Sequence, residues 1–298
     1  HSKNLKFGAA DIGGVYYSFA STFTQLADNE IDGYTFETKT TAGSVANLRL
    51  ISDGYIDLAI VQADLLSDAY NATGTFADKK YQKGYKAIAS LYTECCQIVV
   101  RKDSGITGID DLINKTVSVG ASESGTEKNA EQILKMSGIT DELINKVNMD
   151  YTEAAEKLKA GEIDAFFCTA GTRTEVIGQL SKECDIRLIS LDDKCIDKML
   201  SAYSLCEKYT IPAGTYNGQD SDVTTIGVKA VLIAKQSLSD DVIKNVTKTI
   251  YEHADDFKYA TSLDISFDIN TAADGVDIPF HSGAAAYYTE RGINVLTE

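Results

Sequence analysis

The chain has 298 residues, 44% of them hydrophobic, and its 44 acidic against 28 basic side chains leave a formal charge of −16 at pH 7. That field repels phosphate backbones and anionic lipid, which excludes nucleic acid and acidic membrane surfaces as partners. No apolar run approaches the roughly 18 residues that cross a bilayer, and the length accommodates two cores. The expectation is a soluble mature chain whose first residues, His1–Asn4, read as a start cut from a longer precursor with its signal or anchor.

Lys3–Ala9 predicts a first strand, followed by Gly13-Gly14 and a helix through about Ala27. Phe36–Thr40 predicts a second strand, after which Thr41-Ala42-Gly43-Ser44 opens another helix. That helix enters a phrase that the chain uses twice, at 50–62 and again at 158–169. Each copy reduces to an amphipathic helix ended by a glycine (Gly54, Gly161), then Ile-Asp, then an apolar run closed by a polar residue. A glycine takes the left-handed conformation that ends a helix. The runs Leu58–Val61 and Ala165–Cys168 suit strands buried on both faces of a parallel sheet. Copies about 107 residues apart are too distant for a solenoid and point to two similar α/β lobes. Ligands of such sheets bind at the carboxyl ends of strands, where Gln62 and Thr169–Gly171 fall, so a cleft between lobes is the expected site.

Ala72–Lys83 reads as an exposed loop, and Lys86–Ser90 and Cys96–Arg101 read as strands with Tyr92 in the turn before the second. Gly108–Leu112 predicts a short helix, Thr116–Gly120 a strand, and Ser122–Thr126 a turn into the helix Glu127–Ser137. Lys146–Met149 reads as a strand, and a helix at Thr152–Lys159 leads into the second phrase. A strand at Arg187–Ser190 and a helix at Lys194–Leu205 follow. After a polar loop at Pro212–Asp222, Thr224–Ala234 reads as a returning strand, and helices at Ser239–Asp256 and Ala284–Gly292 close the chain.

Three corners place glycines and hydroxyls where a strand meets a helix: Gly13–Ser18, Thr41–Ser44 and Ser122–Thr126. Helix starts leave backbone N–H groups unpaired and carry positive partial charge, so a carboxylate or phosphate is stabilised there without a cationic side chain. Ser44 and Ser124 equally suit caps of their own helices. No G-K-[ST] follows any of these glycines and Gly13-Gly14 lacks the third glycine of a dinucleotide fingerprint, so no cofactor is expected. Gly120-Ala121-Ser122-Glu123-Ser124 misses the second glycine of a nucleophile elbow. With three histidines (His1, His253, His281), a serine-dependent hydrolase would have to use His281. The acid pairs Asp110-Asp111, Asp192-Asp193 and Asp255-Asp256 face apart and read as surface and caps. Six cysteines (95, 96, 168, 184, 195, 206) show no metal-ligand spacing, so no metal is expected; Cys184, Cys195 and Cys206 leave one disulfide open. Tyr16 and Tyr17 suit a ligand wall or core. Gln62, ending a buried strand, needs a ligand or a backbone partner. Arg101 and Arg173 lie nearest strand ends, where either could pair with a carboxylate and Arg101 equally with Asp103.

In order along the chain stand Gly13-Gly14-x-Tyr16-Tyr17, Thr41-x-Gly43-Ser44-Val45-x-Asn47-Leu48 and Gly54-x-x-Asp57-x-Ala59-x-Val61-Gln62-x-Asp64. Val99-Val100-Arg101-x-Asp103-Ser104-Gly105-Ile106, Val119-Gly120-x-x-x-Ser124-Gly125-Thr126 and Gly161-x-Ile163-Asp164-Ala165-Phe166-Phe167 follow. The last two are Ile211-Pro212-x-Gly214-x-Tyr216-x-Gly218-Gln219-Asp220 and Phe280-His281-x-Gly283-Ala284. Together, over nearly the whole chain, they resemble the TAXI family of extracytoplasmic solute receptors that serve TRAP transporters. The resemblance implies a two-lobed, type II periplasmic-binding-protein fold, each lobe a mainly parallel sheet flanked by helices. The lobes would be residues 1–98 with 228–298, and 99–227. It further implies no catalysis, an extracytoplasmic location (periplasm, or a cell-surface lipoprotein in a single-membrane bacterium), and delivery of a small carboxylate such as glutamate, glutamine or a dicarboxylate to a TRAP membrane subunit. By position, the ligand-facing residues are Gly14, Tyr16, Tyr17, Thr41, Ser44, Gln62, Tyr92, Ser124, Gly125, Thr126 and Gly171. The family often has proline where this chain has Ser18, and Gly-x-Pro where it has Gly171-Thr172-Arg173, so Arg173 joins the candidates as a cationic contact. A sensor domain signalling to a membrane partner is the alternative reading of the same fold.

Overall fold

A computed structural model describes residues 3–78, 80, 81 and 83–298. His1 and Ser2 of the expected cut start, and Lys79 and Gln82 of the expected 72–83 loop, lie outside the described residues. The chain divides into two compact units, His1–Ala10 with Tyr16–Tyr92 and Lys229–Glu298, and Asp11–Val15 with Thr93–Val228. The boundaries read from the sequence, 98/99 and 227/228, fall a few residues from these. The short Asp11–Val15 segment sorts with the second unit.

In the first unit, β1 (Lys3–Gly8) pairs in parallel with β2 (Tyr34–Lys39) and with β3 (Leu58–Gln62). The far part of β10 (Val223–Lys235) adds an antiparallel partner, Val231 opposite Val61. Helices α1 (Val15–Glu30), α2 (Ser44–Ser52) and α3 (Ala63–Asn71) connect the parallel strands and follow β3. Their core is aromatic: Phe7 meets Phe23 edge-on at 5.6 Å, and Phe19 stacks on Phe257 at 4.4 Å.

In the second unit, β5 (Thr116–Ser118) lies in parallel between β6 (Asn145–Val147) and β7 (Ala165–Ala170). The far part of β4 (Tyr85–Arg101) runs antiparallel to β7, with β8 (Ile186–Leu188) also paired to β4 and β9 (Glu207–Ile211) paired to β10. Helices α4 (Gly125–Met136), α5 (Tyr151–Lys159), α6 (Glu175–Glu183) and α7 (Asp193–Ala202) surround a core including Ile98, Val117, Ile133 and Phe167. The architecture is mixed α/β, with sheets flanked by helices, as expected. Among the described residues no helix is long and apolar enough to cross a membrane.

The repeated phrase does the same job in both units. Gly54 and Gly161 are left-handed, with φ of 85° and 75°. The following aspartate then docks its strand on the neighbouring parallel one. Asp57 N–H donates to Lys6 O and its carboxylate accepts from Lys6 N–H, both at 2.8 Å; Asp164 does the same with Thr116, again at 2.8 Å. A cation braces each copy: Lys235 bonds Gly54 O and Asp57, while Arg101 donates to Leu158 O and Ile163 O at 2.8 Å and pairs with Asp164. Arg101 is thereby a brace of the second phrase and also reaches Asp103 at 3.8 Å.

Several expected elements change. Lys86–Ser90 and Cys96–Arg101 are one strand of 17 residues, and Tyr92 lies inside it, not in a turn. The polar stretch that reads as a break is buried: Ser90 is 5% exposed and donates its N–H to Ala272 O at 2.7 Å. The helix expected at Ser239–Asp256 is two, α8 (Asp240–Glu252) and α9 (Ala254–Thr261), parted at His253, which leaves helical geometry to bond Glu30 and Asp256. Helices α3 and α6 and strand β9 were not read from the sequence. The last helix, α10, spans Ser282–Thr289. None of the six cysteines is bridged to another in this structure, so Cys184, Cys195 and Cys206 form no disulfide here.

Candidate functional site

The first unit gathers Tyr16, Thr41, Ser44 and Gln62 where β1 and β3 end and α2 begins. Gly43 precedes α2 with φ of 129° and offers no side-chain cap. Ser44 does not cap either: its hydroxyl accepts from Gln62 N–H at 3.0 Å and lies 3.5 Å from Tyr16 OH. Thr41 Oγ1 lies 2.6 Å from Asn47 Oδ1 and 3.0 Å from Ala9 O, and accepts from Gly43 N–H at 3.2 Å. At the centre is Asn47, fully buried, whose amide donates to Ala9 O at 2.7 Å, Ile60 O at 2.9 Å and Gly8 O at 3.4 Å. One side chain thus ties the ends of two strands to the start of a helix. Tyr17 is half-buried on α1. Tyr92 is 3% exposed and meets Phe267 edge-on at 6.3 Å, placing its ring in the aromatic core of this unit.

The second unit gathers Ser124, Gly125, Thr126 and Thr169 where β7 ends and α4 begins. Ser124 caps α4, its Oγ accepting from Glu127 N–H at 3.0 Å. Thr126 Oγ1 accepts from Thr169 N–H at 3.0 Å and bonds Tyr151 OH, which also donates to Thr169 O at 3.1 Å. Thr169 Oγ1 in turn donates to Asn129 Oδ1 at 2.8 Å. The Thr126 hydroxyl is therefore committed on both sides, and the groups at this helix start that suit an anion are the first-turn N–H groups with the Ser124 hydroxyl. Gly120 is obligatory beside them: its φ is 94°, and an added Cβ would stand 2.9 Å from Thr126 Cβ and 3.0 Å from Ser124 Oγ.

Gly14 belongs to this unit. Its N–H donates to Asp11 O at 3.0 Å, and the Asp11 carboxylate accepts from Thr152 N–H at 3.1 Å at the start of α5. The Tyr151 ring passes 3.7 Å from where a Cβ on Gly14 would lie. Gly171 is buried at the end of β7, Arg173 is exposed, and the Thr172–Arg173 peptide bond is cis.

Burial organises the ionisable groups nearby. The Tyr151 phenol is pushed well up, chiefly by burial, so it stays a neutral donor. The Cys96 thiol is pushed up to about 12 by burial, and those of Cys95 and Cys168 well above their usual value for the same reason. Asp64, in the first turn of α3, is raised to about 6 by burial, with one carboxylate oxygen buried and unpartnered although the residue keeps some exposure. His281 caps α10: Nδ1 accepts from Gly283 N–H at 3.0 Å, Nε2–H donates to Leu238 O at 2.9 Å, and burial lowers its pKa. Both ring nitrogens are spent on backbone, so a serine hydrolase has no base in His281. Among the described residues no group of three or more His, Cys, Asp or Glu is placed to hold a metal.

Sequence reasoning missed Asn47 and Tyr151 as organisers of the two corners. A buried asparagine in the first turn of a helix after Thr-x-Gly-Ser signals a strand-tying amide. Tyr151 carries no local signal, since its partners lie 18 and 25 positions away.

The fold of these α/β units, with helix starts at strand ends, is shared by solved structures. The periplasmic binding protein BugD matches with a TM-score of 0.62 at 10% identity, over 92% of this chain and 91% of that one. A putative L-cystine ABC transporter protein from Listeria monocytogenes matches at 0.55 and 13%, over 91% and 98%. An ancestral arginine-binding protein bound to arginine matches at 0.53 and 14%, over 88% and 98%. The chain belongs to the NMT1-like family, whose sequence profile matches residues 7–292.

Proposed function

We propose that this protein is an extracytoplasmic solute receptor that binds one small carboxylate-bearing solute, a glutamate- or glutamine-like amino acid or a dicarboxylate, and presents it to a TRAP-type membrane transporter. The observation that carries the reading is the pair of braced, hydroxyl-lined helix starts at strand ends, one in each unit. Bracing is what a binding site needs: donors fixed before the ligand arrives lose little entropy when it binds. The solute carboxylate takes the first-turn N–H groups of α4 and the Ser124 hydroxyl, with Gly125 and Thr126 supplying backbone and Arg173 added charge. Gln62, Ser44, Tyr16 and Tyr17 hold the rest of the solute; Gly14 and Gly171 let it approach backbone. Thr41 and the Thr126 hydroxyl act through the frame, and Tyr92 through the packing behind it. Capture shifts the receptor's population toward the form the transporter accepts. Membership of a family whose structural neighbours carry the names of binding proteins supports a non-catalytic role.

The test is thermal unfolding of protein that has been denatured, dialysed and refolded, against amino acids, dicarboxylates and sulfonates. A solute at 100 times its Kd stabilises by about 2.7 kcal/mol, a shift of roughly 5–10 °C. A shift with glutamate or a dicarboxylate that Ser124→Ala abolishes is the expected result. A shift with sulfonates alone, or one untouched by Ser124→Ala, refutes the assignment.

A further inference from the structure

The loop between β9 and β10 carries Tyr216 inside the sequence motif 211–220, for which the proposed binding role has no use. Tyr216 is only 3% exposed although Thr215 before it is half-buried and Asn217 after it is exposed. Its hydroxyl donates to Gln97 Oε1 at 2.5 Å and accepts from Thr174 N–H at 2.9 Å. Gln97 closes the ring by donating Nε2–H to Thr174 Oγ1 at 2.9 Å, and the Thr174 hydroxyl donates to Gly171 O at 2.8 Å. Gln97 is 1% and Thr174 0% exposed, so the ring works away from water, where leaving any member unpaired is costly. Its two exits are the N–H and hydroxyl of Thr174, and they close on the turn Gly171–Arg173. That turn also touches Tyr209, whose hydroxyl lies 3.2 Å from Thr172 Oγ1. A turn with no regular secondary structure is thus held from one side by a ring of three buried side chains, none of which belongs to it.

We infer that Tyr216 is a positioning residue for ligand binding: through Gln97 and Thr174 it holds the Gly171–Arg173 turn in the one geometry that presents Gly171 and Arg173 to the solute. The inference rests on the receptor reading for its ligand and on the hydrogen-bond ring for its mechanism. Arg173 is exposed, with its Nε 3.8 Å from where a Cβ on Gly178 would lie; its backbone takes its direction from the turn, and the turn from Thr174. Phenylalanine at 216 keeps the volume and removes the oxygen that both Gln97 and Thr174 use.

The experiment compares the full chain with Tyr216→Phe and, as a control for simple destabilisation in the same unit, Ile211→Val at the buried end of β9. Two readouts are taken: backbone amide resonances of Gly171, Thr172 and Arg173, and the Kd of L-glutamate by calorimetry. The expected result is that Tyr216→Phe moves those three resonances and weakens L-glutamate roughly tenfold, while Ile211→Val does neither. Unmoved resonances in Tyr216→Phe, or an equal loss of affinity in Ile211→Val, overturn the inference. If the wild-type chain does not bind L-glutamate, that solute is struck from the receptor reading. The resonances alone then decide whether Tyr216 holds the turn.

Discussion

Replacing Asn47 tests the frame of the first corner, because two variants of similar size should behave very differently. Asn47→Ala removes an amide that donates to Ala9 O and Ile60 O at 2.7 and 2.9 Å and approaches Gly8 O at 3.4 Å, in a site with no exposure. Each buried carbonyl left without its donor costs about 1–3 kcal/mol. Ala9 O keeps Thr41 as a partner, so the sum is roughly 3–4 kcal/mol. That is a large share of the 5–15 kcal/mol that holds a typical native state together, and it lowers Tm by roughly 6–15 °C. Asn47→Asp has nearly the same shape but turns an oxygen toward the same carbonyls and buries a charge, so it costs several kcal/mol more than alanine at pH 7. Acidification reverses part of that excess. Burial raises the new carboxyl's folded pKa above its unfolded value, so stability is regained as pH falls through the folded value and the protonated group donates again. Urea and thermal unfolding of both variants at pH 7 and pH 5 measure this. An aspartate variant within about 1 kcal/mol of wild type, or one milder than alanine, refutes the claim that the amide's donations organise the corner.

Asp64 gives the chain a titration of its own. Burial lifts its folded pKa to about 6, against roughly 3.9 in an unfolded chain. The folded state then holds the proton more tightly, and stability falls as pH rises from about 4 to about 6, by roughly 2–3 kcal/mol. Asp64→Asn should flatten this part of the stability curve in urea melts taken across that window, and an unchanged slope would assign it elsewhere. Gly283→Ala tests the closeness of α8 and α10. An added Cβ stands 2.4 Å from Asp240 O and 2.9 Å from Ile243 Cβ, so we expect a loss of roughly 1–3 kcal/mol although alanine is the better helix former by about 1 kcal/mol. A variant as stable as wild type in thermal melts would show that the two helices can part.

The repeated phrase was legible because its signals are local: a glycine that must turn left-handed, an aspartate beside it, and an apolar run too continuous for an exposed strand. The corners were legible for the same reason, since glycines and hydroxyls between a strand and a helix mark helix starts wherever the chain goes. Ser124 is the cap that its position suggests. Thr41 and Thr126 lie at the corners as expected, yet their hydroxyls serve the frame, because Asn47, Tyr151 and the strand ends reach them first. Sequence cannot rank competing partners for one hydroxyl; distance does. Tyr92 was misplaced because Ser90, Thr93 and Glu94 look like a break, and only burial within a long strand makes that polar stretch continuous.

The amino-acid sequence by itself determined the α/β class, the duplicated strand-docking phrase and the three helix-start corners, since each depends on residues within one or two turns of chain. Tertiary structure alone decided that Arg101 braces a loop, that His281 caps a helix, that Asn47 and Tyr151 hold two of the corners, and that Tyr216 bonds Gln97 and Thr174. The physical reason is common to all five. A polar side chain in a low-dielectric interior must find a partner, and here the partners lie as far as 119 positions away, where no local pattern records them.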